Sequence, residues 1–347
     1  MTQPARPASG KSANRPGLLL IGRPRPVMLE RYKAAFDVHE LSAIADTAHF
    51  LKTEGPAITA VSTTGFDGLD NAVMAALPNL EIISCFGVGY DGIDATEAAR
   101  RGIMVTHTPD VLNADVANTA IMLMLAVSRR LLLDDAYVRA GRWPKEGQAP
   151  LRKSIEGARV GMLGMGRIGM AIAAKLAAFN CRIAYHARNP RPDIAFAYYP
   201  DAVALARDSD YLIVITPGGD GTRKLVGRAV IEALGPDGTL ISLARGSVVD
   251  EAEMVSALAD GRLGAAGLDV YENEPHVPEA LFAMENVVLL PHVGSATVET
   301  RHAMAMLTIT NIERFFAEGR AETPVPECIG LQDKQARHAR RQEFSRV

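Results

Sequence analysis

Residues 159 to 169 read Arg159-Val-Gly-Met-Leu-Gly-Met-Gly-Arg-Ile-Gly169. An apolar run ends at Leu163, glycines stand at 164, 166 and 169, and Ile168 to Phe179 has the apolar spacing of a helix. The glycines match G-x-G-x-x-G, a pattern that is weak alone and informative between a strand and a helix. Gly164 would make the tight turn, Gly166 would let a pyrophosphate approach the backbone, and Gly169 would let the helix pack close to the strand. The helix N-terminus adds free N–H groups and a positive dipole end, which suit phosphate. A merely tight strand–helix turn would explain the glycines but not their flanks.

Outward from this loop, short apolar runs recur at Arg182–Tyr185, Leu212–Ile215, Thr239–Ser242, Ala265–Leu268 and Val287–Leu290. An earlier series runs through Leu18–Ile21, Ile58–Val61, Leu80–Ser84 and Ile103–Val105, with helical stretches between at Val27–Phe36, Ala43–Leu51, Leu69–Ala76 and Ala95–Arg100. Alternating strands and helices predict α/β architecture with parallel sheets. A chain of 347 residues has room for two such units. The expectation is two Rossmann-like or flavodoxin-like domains with a ligand cleft between them, at the strand C-termini. Residues 17–109 plus 298–330 would form one domain and 110–297 the other. Closure of the two would exclude water. The first series has too little chain after Val105 to cover its own sheet, so the helix Val298–Glu318 should return to it. A single long helix is expected from Ala114 to Ala140, ended by Gly141, Trp143 and Pro144, with a loop over 144–157. Residues 1–16 read as a disordered tail, and 331–347 as a basic, solvated or disordered tail.

Composition narrows the function classes. Lys and Arg number 37 against 40 Asp and Glu, a net charge of -3, which speaks against nucleic acid as a partner. The longest apolar candidate, Ala117 to Val127, is too short to span a bilayer, and the N-terminus lacks the apolar stretch of a secretion signal. Cys85, Cys181 and Cys328 form no C-x-x-C pair and have no histidine at zinc spacing. They read as reduced thiols of a cytoplasmic protein without a metal.

The strand after the glycine loop ends Tyr185-His-Ala-Arg-Asn189, with no acidic residue to bond a ribose 2′-hydroxyl. Arg188 stands there instead, and its guanidinium suits a 2′-phosphate. NADP is therefore the preferred cofactor, with NAD as the alternative, and Arg191 is a candidate helper. A solvated surface arginine is the plainer reading of Arg188.

Five motifs now fall in order: Phe86-Gly-Val-Gly-Tyr-Asp-Gly-Ile-Asp94, the glycine loop, Leu243-Ala-Arg-Gly-Ser-Val-Val-Asp250, Leu268-Asp-Val-Tyr-Glu-Asn-Glu-Pro275 and Pro291-His-Val-Gly-Ser-Ala296. Together they resemble the D-isomer-specific 2-hydroxyacid dehydrogenases, over residues 18 to 328. Within that family the chain looks most like glyoxylate, hydroxypyruvate and hydroxyphenylpyruvate reductases; Thr108-Pro-Asp-Val-Leu112, Asp115-Val-Ala117 and Arg188 share that flavour. The resemblance implies NADPH-dependent reduction of a small 2-oxo acid to the D-2-hydroxy acid. It implies that Arg245 binds the substrate carboxylate and polarises the 2-oxo group. His292 would protonate the carbonyl oxygen, and Glu274 would hydrogen-bond His292 and favour its charged form. Backbone N–H groups of Val88 and Gly89 would hold the carboxylate. Gly164, Gly166, Arg167, Ile168, Gly169, Ala187, Arg188, Asn189, Thr216, Leu243, Asp269 and Gly294 would line the cofactor site, with Asp269 near the carboxamide. A homodimer around the long helix and its following loop is also implied.

The chemistry suits these residue types. Reduction turns a carbonyl into an alkoxide, which calls for a cation and a proton donor. Arginine is always charged and forks onto a planar 2-oxo acid, and histidine titrates near neutrality. Glu272 competes with Glu274 as the histidine's partner, and the family pattern favours the one before Pro275. Asp91, Asp94, Asp110, Asp115 and Asn118 read as turn or capping residues. Trp143 is either a helix-end packing residue or part of a neighbouring subunit's pocket, and Met122 and Met124 read as core or dimer surface. Thr63, Thr64, Leu112 and Trp143 are positions on which pocket shape would depend. The competing functions are an NAD-linked dehydrogenase of another hydroxy acid and a non-catalytic, corepressor-like dinucleotide sensor with Lys334 to Arg346 as an interaction arm. A formate-dehydrogenase-like role is disfavoured, because that branch carries Gln where Glu274 stands.

Overall fold

A computed structural model describes residues 15–333, 337, 338, 340, 341 and 344. Of the tail expected to be disordered over residues 1–16, residues 1–14 lie outside them, while Arg15 donates to Lys33 O and Pro16 O accepts from Asp37 N, both at 3.0 Å. The chain forms two compact units, one of residues up to Pro109 and from Arg301 onward, the other Asp110–Thr300.

The first unit carries β1 (Gly17–Leu20), α1 (Pro26–Ala35), β2 (Asp37–Glu40), α2 (Thr47–Thr53), β3 (Ile58–Thr64), α3 (Asn71–Ala75), β4 (Ile82–Phe86), α4 (Ala95–Arg100) and β5 (Met104–Thr106). Its five strands are all parallel, in the order β2-β1-β3-β4-β5. Leu18, Leu19, Ile58, Val61, Ile82 and Ile83 are fully buried, as continuous apolar runs in a doubly covered sheet should be. The edge strand β2 reads Asp-Val-His-Glu, so it carries no apolar run by which sequence could reveal it.

The second unit begins with α5 (Asn113–Ser128), α6 (Leu131–Arg139) and α7 (Trp143–Glu146). It continues through β6 (Arg159–Leu163), α8 (Arg167–Leu176), β7 (Arg182–His186), β8 (Ala197–Tyr198), α9 (Ala202–Arg207), β9 (Tyr211–Val214), α10 (Arg228–Leu234), β10 (Thr239–Ser242), α11 (Glu251–Asp260), β11 (Ala265–Leu268) and β12 (Val287–Leu289). Seven parallel strands lie in the order β12-β11-β10-β9-β6-β7-β8, so the order reverses beside β6. That reversal is where open α/β sheets bind ligands.

The last helix, α12 (Val298–Glu318), belongs to the first unit from Arg301 onward. Its buried Ile309 and Ile312 join that unit's core, and Ser84 Oγ donates to Thr308 O at 3.0 Å.

Several local expectations change. The expected single helix over 114–140 is two helices. Arg130 adopts a left-handed conformation at φ 50°, its guanidinium donates to Glu285 O at 2.6 Å, and α5 and α6 are bent by 59°. The expected loop over 144–157 starts as the helical turn α7, with Pro144 in its first turn and Arg142 paired to Glu146. Asp94 does cap α4, accepting from Glu97 N at 2.8 Å. Asp110, Asp115 and Asn118 do not cap α5, whose N-cap is Leu112. Asp115 instead accepts the hydroxyls of Thr297 and Thr300 at 2.5 and 2.6 Å, Asn118 donates to Asp115 at 3.2 Å, and Asp110 pairs with Arg167 at 3.3 Å.

The described part of the basic tail is packed at Arg337, Arg341 and Phe344, while His338 and Arg340 are exposed. Arg337 is buried, donates to Leu331 O and Gly319 O at 2.6 and 2.7 Å, and lies over the Phe315 ring. Arg341 donates to Leu80 O, and Phe344 receives Arg100 and Arg101 on its ring. Lys334 and Arg346 lie outside the described residues. Among the described residues no single helix is long and apolar enough to cross a membrane; α5 and α6 meet that criterion only as a bent pair, and α5 has nine buried residues.

Candidate active site

The second unit gathers its candidate residues by one rule of construction: each follows the C-terminal end of a parallel strand. Gly164 follows β6, Ala187 to Asn189 follow β7, Thr216 follows β9, Leu243 to Arg245 follow β10, Asp269 follows β11 and His292 follows β12. The ladder runs on into these loops. Leu243 N donates to Val214 O, Asp269 N to Ser242 O and Leu290 N to Leu268 O, at 2.8 to 3.1 Å. The sheet therefore fixes the loop roots before any ligand binds.

The glycine loop has the three properties that a dinucleotide needs. Gly164 turns at φ +102°, and a Cβ there would lie 2.9 Å from Ile215 O and Thr216 N. A Cβ on Gly169 would lie 2.7 Å from Gly164 O, so helix α8 seats only with glycine there. A Cβ on Gly166 would meet nothing within 4 Å, which leaves open space over the backbone at the start of α8. Gly166 immediately precedes α8, whose first two residues are Arg167 and Ile168, so the helix N-terminus faces the position that phosphate takes in such loops. These residues fit a dinucleotide.

Beyond β7 the two candidate arginines part company. Arg188 is exposed and, among the described residues, has no hydrogen-bond or ion-pair partner. Its neighbours Ala187 and Asn189 are half-buried and exposed, and Ala187 O accepts from Tyr198 OH at 3.3 Å. Arg191 is engaged. It pairs with Asp193, donates through Nη1 to Met165 O at 2.8 Å, and its N–H bonds Tyr185 OH at 2.7 Å. It braces the middle of the glycine loop rather than standing open to a phosphate, a correction to its reading as a helper of Arg188.

At the other end of the sheet lies an acid pair. His292 Nδ1 and Glu274 Oε2 are 2.6 Å apart, and the second oxygen, Oε1, accepts Tyr271 N–H at 3.0 Å. Burial alone would raise the Glu274 carboxyl. The bonds from His292 and Tyr271 N–H, with the nearby charges of His292 and Arg245, outweigh it and hold the group below the usual carboxylate range. His292 adopts φ 53°, and the loop that carries it is pinned on its far side. Asp269, almost fully buried, accepts from Val293 N at 2.7 Å and Gly294 N at 2.8 Å, and Thr119 Oγ1 donates to Gly294 O at 3.2 Å. Burial pushes the Asp269 carboxyl up, against the pull of those two N–H groups. Arg245 is half-buried, and its guanidinium donates to Ala244 O at 2.7 Å. Glu272 turns elsewhere, 3.8 Å from Arg223.

In the first unit, Val88 and Gly89 lie in the loop after β4. His107 Nδ1 holds Val88 O at 2.9 Å, Thr108 N donates to Gly87 O at 2.8 Å, and the His107 ring stacks edge-on to Tyr90. Thr63 is buried and Thr64 half-buried; in the second unit Leu112 is buried and Trp143 is 57% exposed. Sequence reasoning did not single out His107, Tyr271 or Asp193. Their signal is proximity to a motif, with no spacing of their own.

A glycine loop at the sheet reversal, with a paired histidine and carboxylate and an arginine beyond neighbouring strands, defines a dinucleotide-binding oxidoreductase unit. The comparisons carry the assignment further. Residues 121–294 match the D-isomer specific 2-hydroxyacid dehydrogenase NAD binding domain. A glyoxylate/hydroxypyruvate reductase A of Arabidopsis thaliana is 52% identical, over 79% of this chain and 88% of its own. A hydroxyphenylpyruvate reductase of Plectranthus scutellarioides is 50% identical, over 80% and 88%. The crystal structure of an NADPH-dependent glyoxylate/hydroxypyruvate reductase from Sinorhizobium meliloti, in complex with NADP and malonate, aligns with a TM-score of 0.84 at 46% identity, over 90% of this chain and 98% of that one. The chain belongs to the D-isomer-specific 2-hydroxyacid dehydrogenase family, and its cofactor is a nicotinamide dinucleotide.

Proposed function

We propose that this protein reduces a small 2-oxo acid, of the glyoxylate or hydroxypyruvate kind, to the D-2-hydroxy acid with NADPH. The observation that carries the reading is the 2.6 Å contact of His292 with a carboxylate held below its usual range. A charged Glu274 keeps the His292 ring oriented through Nδ1, which leaves Nε2 to face the substrate. When bound, the reduced nicotinamide supplies the hydride that adds to C2. As the C2–O π bond breaks, its electron pair goes to oxygen, and His292 Nε2 gives that oxygen a proton. Arg245 pairs with the substrate carboxylate and stabilises the charge growing on oxygen, and the N–H groups of Val88 and Gly89 are assigned to the same carboxylate. Arg188, unpartnered among the described residues, is assigned to the 2′-phosphate of NADPH.

The working form is proposed to be a cytoplasmic homodimer. Met122, Leu131, Leu132, Val138, Trp143 and Leu151 are all about half exposed or more, which puts six large apolar side chains on one thirty-residue stretch. Ile121, Met122, Leu125, Ala126 and Leu131 also line a groove of about 660 Å³ that contains none of the proposed catalytic residues. Apolar surface so concentrated marks an interaction face.

The test is initial rates with glyoxylate, hydroxypyruvate and hydroxyphenylpyruvate, each with NADPH and NADH, beside light scattering for mass. Oxidation of NADPH by one acid, at twice the chain mass, is expected. Tight NADPH binding with no oxidation by any acid would overturn the reading.

A further inference from the structure

Glu251, the first residue of α11, is a buried carboxylate with no part in the chemistry above. Its Oε2 accepts the backbone N–H of Glu272 at 3.0 Å, across 21 residues of chain. That N–H belongs to the turn in which Tyr271 N–H holds Glu274 Oε1 at 3.0 Å. The peptide joining Tyr271 to Glu272 also rests against Gly246: a Cβ there would stand 1.9 Å from Tyr271 O and 2.3 Å from Glu272 N. One short segment, 245 to 251, therefore bears Arg245 at one end, presses its glycine against the 271–272 peptide, and grips that peptide's N–H at the other end. The segment is itself anchored. Lys224 N donates to Ser247 O, Val226 N to Val248 O and Asp250 N to Val226 O, at 2.8 to 3.0 Å. The charges around it are Glu272, Asp250 with Lys224 at 3.3 Å, and Arg223 at 3.8 Å from Glu272.

Burial of Glu251 works against its charge, as does the Glu272 carboxylate, and the Glu272 N–H offsets them in part. The start of α11 is already capped by Asp250, which accepts from Glu253 N at 3.4 Å, so the buried acid beside it calls for another use. We propose that Glu251 is a positioning residue for the acid pair: its carboxylate fixes the 271–274 turn, and through it the placement of Glu274 against His292. The inference rests on the reading of His292 as the proton donor. It gives the Arg245 loop and the Glu274 loop a shared support.

The experiment compares Glu251→Ala, Glu251→Gln and Glu251→Asp with wild type and His292→Ala, in the full chain. It measures kcat and KM for hydroxypyruvate with NADPH across pH, NADPH affinity by fluorescence, and melting temperature. In Glu251→Ala, kcat should fall about tenfold to a hundredfold, as a catalytic group shifts by a fraction of an ångström to an ångström. The pH profile of kcat should change with it, because the carboxylate that faces His292 Nδ1 at 2.6 Å is displaced. NADPH affinity should not change. Glu251→Gln offers an amide oxygen to the same N–H and should keep the wild-type profile with kcat within about threefold. A normal profile in Glu251→Ala, or a Gln variant as impaired as Ala, would overturn the proposal. If the alanine variant does not fold, Glu251→Asp decides: it keeps the charge but withdraws the acceptor, so a wild-type profile there also overturns it. An active His292→Ala variant defeats the reading of His292, and this proposal with it. A dead His292→Ala beside a normal Glu251→Ala defeats only the role of Glu251.

Discussion

The loops after β12 and after β7 leave the same sheet in the same direction and are built in opposite ways. After β12, His292 meets Glu274, the next two N–H groups are taken by Asp269, and Gly294 O is bonded by Thr119. After β7, Arg188 is exposed and unpartnered among the described residues, while its neighbour Arg191 is spent on Asp193 and Met165. A proton donor must be in place when charge develops, so the protein supplies its partners in advance. A group that recognises a phosphate needs free donors, so its partner is left to the ligand. On the proposed function, the contrast separates residues that would set rate from residues that would set cofactor choice, and substitutions can break it at either end.

The largest expected effect is at the pre-built end. His292→Ala removes the proposed proton donor and should lower kcat by about a hundredfold to ten-thousandfold, with NADPH affinity unchanged because the glycine loop is untouched. Stopped-flow rates and a fluorescence titration check both halves; normal turnover would remove His292 as the acid. At the open end the effect should be smaller and selective. Charge-assisted bonds are each worth about 1.5–3 kcal/mol, so Arg188→Ala should raise the KM for NADPH about tenfold to a hundredfold and leave NADH nearly unaffected. Arg191→Ala should weaken both cofactors alike, because the Met165 carbonyl it holds belongs to a loop that serves either one. An Arg188 variant that loses both equally would mean that the two arginines had been assigned the wrong way round.

The same contrast explains what was legible in the sequence. Gly164, Gly166 and Gly169 are local: strand, turn and helix lie within twenty residues, and each glycine meets the demand that its spacing implies. The missing acid after β7 is local too, and so is Arg188. The break at Arg130 was not legible, since the apolar spacing runs on through Leu131, Leu132 and Leu133, and the guanidinium that stabilises the turn bonds a carbonyl 155 residues away. Asp115 looked like a cap because its true partners, Thr297 and Thr300, are far along the chain. Glu272 and Glu274 were indistinguishable by residue type. What separates them is a turn that directs Glu274 to His292 while Glu272 N–H is held by Glu251. Short-range demands are written in the sequence; the partners of polar side chains are set by packing between strand ends that only the folded sheet brings together.

The smallest expected effect lies on the acid side of the pH profile, and the two carboxylates of the pre-built end make it decisive. Glu274 is held below the usual range and Asp269 is pushed above it. As pH falls, Asp269 therefore takes up its proton first. The neutral acid is a poorer acceptor for Val293 N–H and Gly294 N–H, so the His292 loop loosens while Glu274 is still charged. The sign for stability is the reverse. A carboxyl whose folded pKa is raised binds its proton more tightly when folded, so its contribution to stability falls as pH rises through that window, and the charged form is carried at a cost at neutral pH. Activity and stability should thus move in opposite directions over the interval in which Asp269 titrates, above the usual carboxylate range: kcat declines as pH drops, while the contribution of Asp269 to the melting temperature improves. In Asp269→Asn the acid-side decline should vanish from whatever activity remains, whereas Glu274→Gln should retain it. A decline that survives in Asp269→Asn and disappears in Glu274→Gln would assign the limb to the other carboxylate and invert the order of titration drawn from their burial.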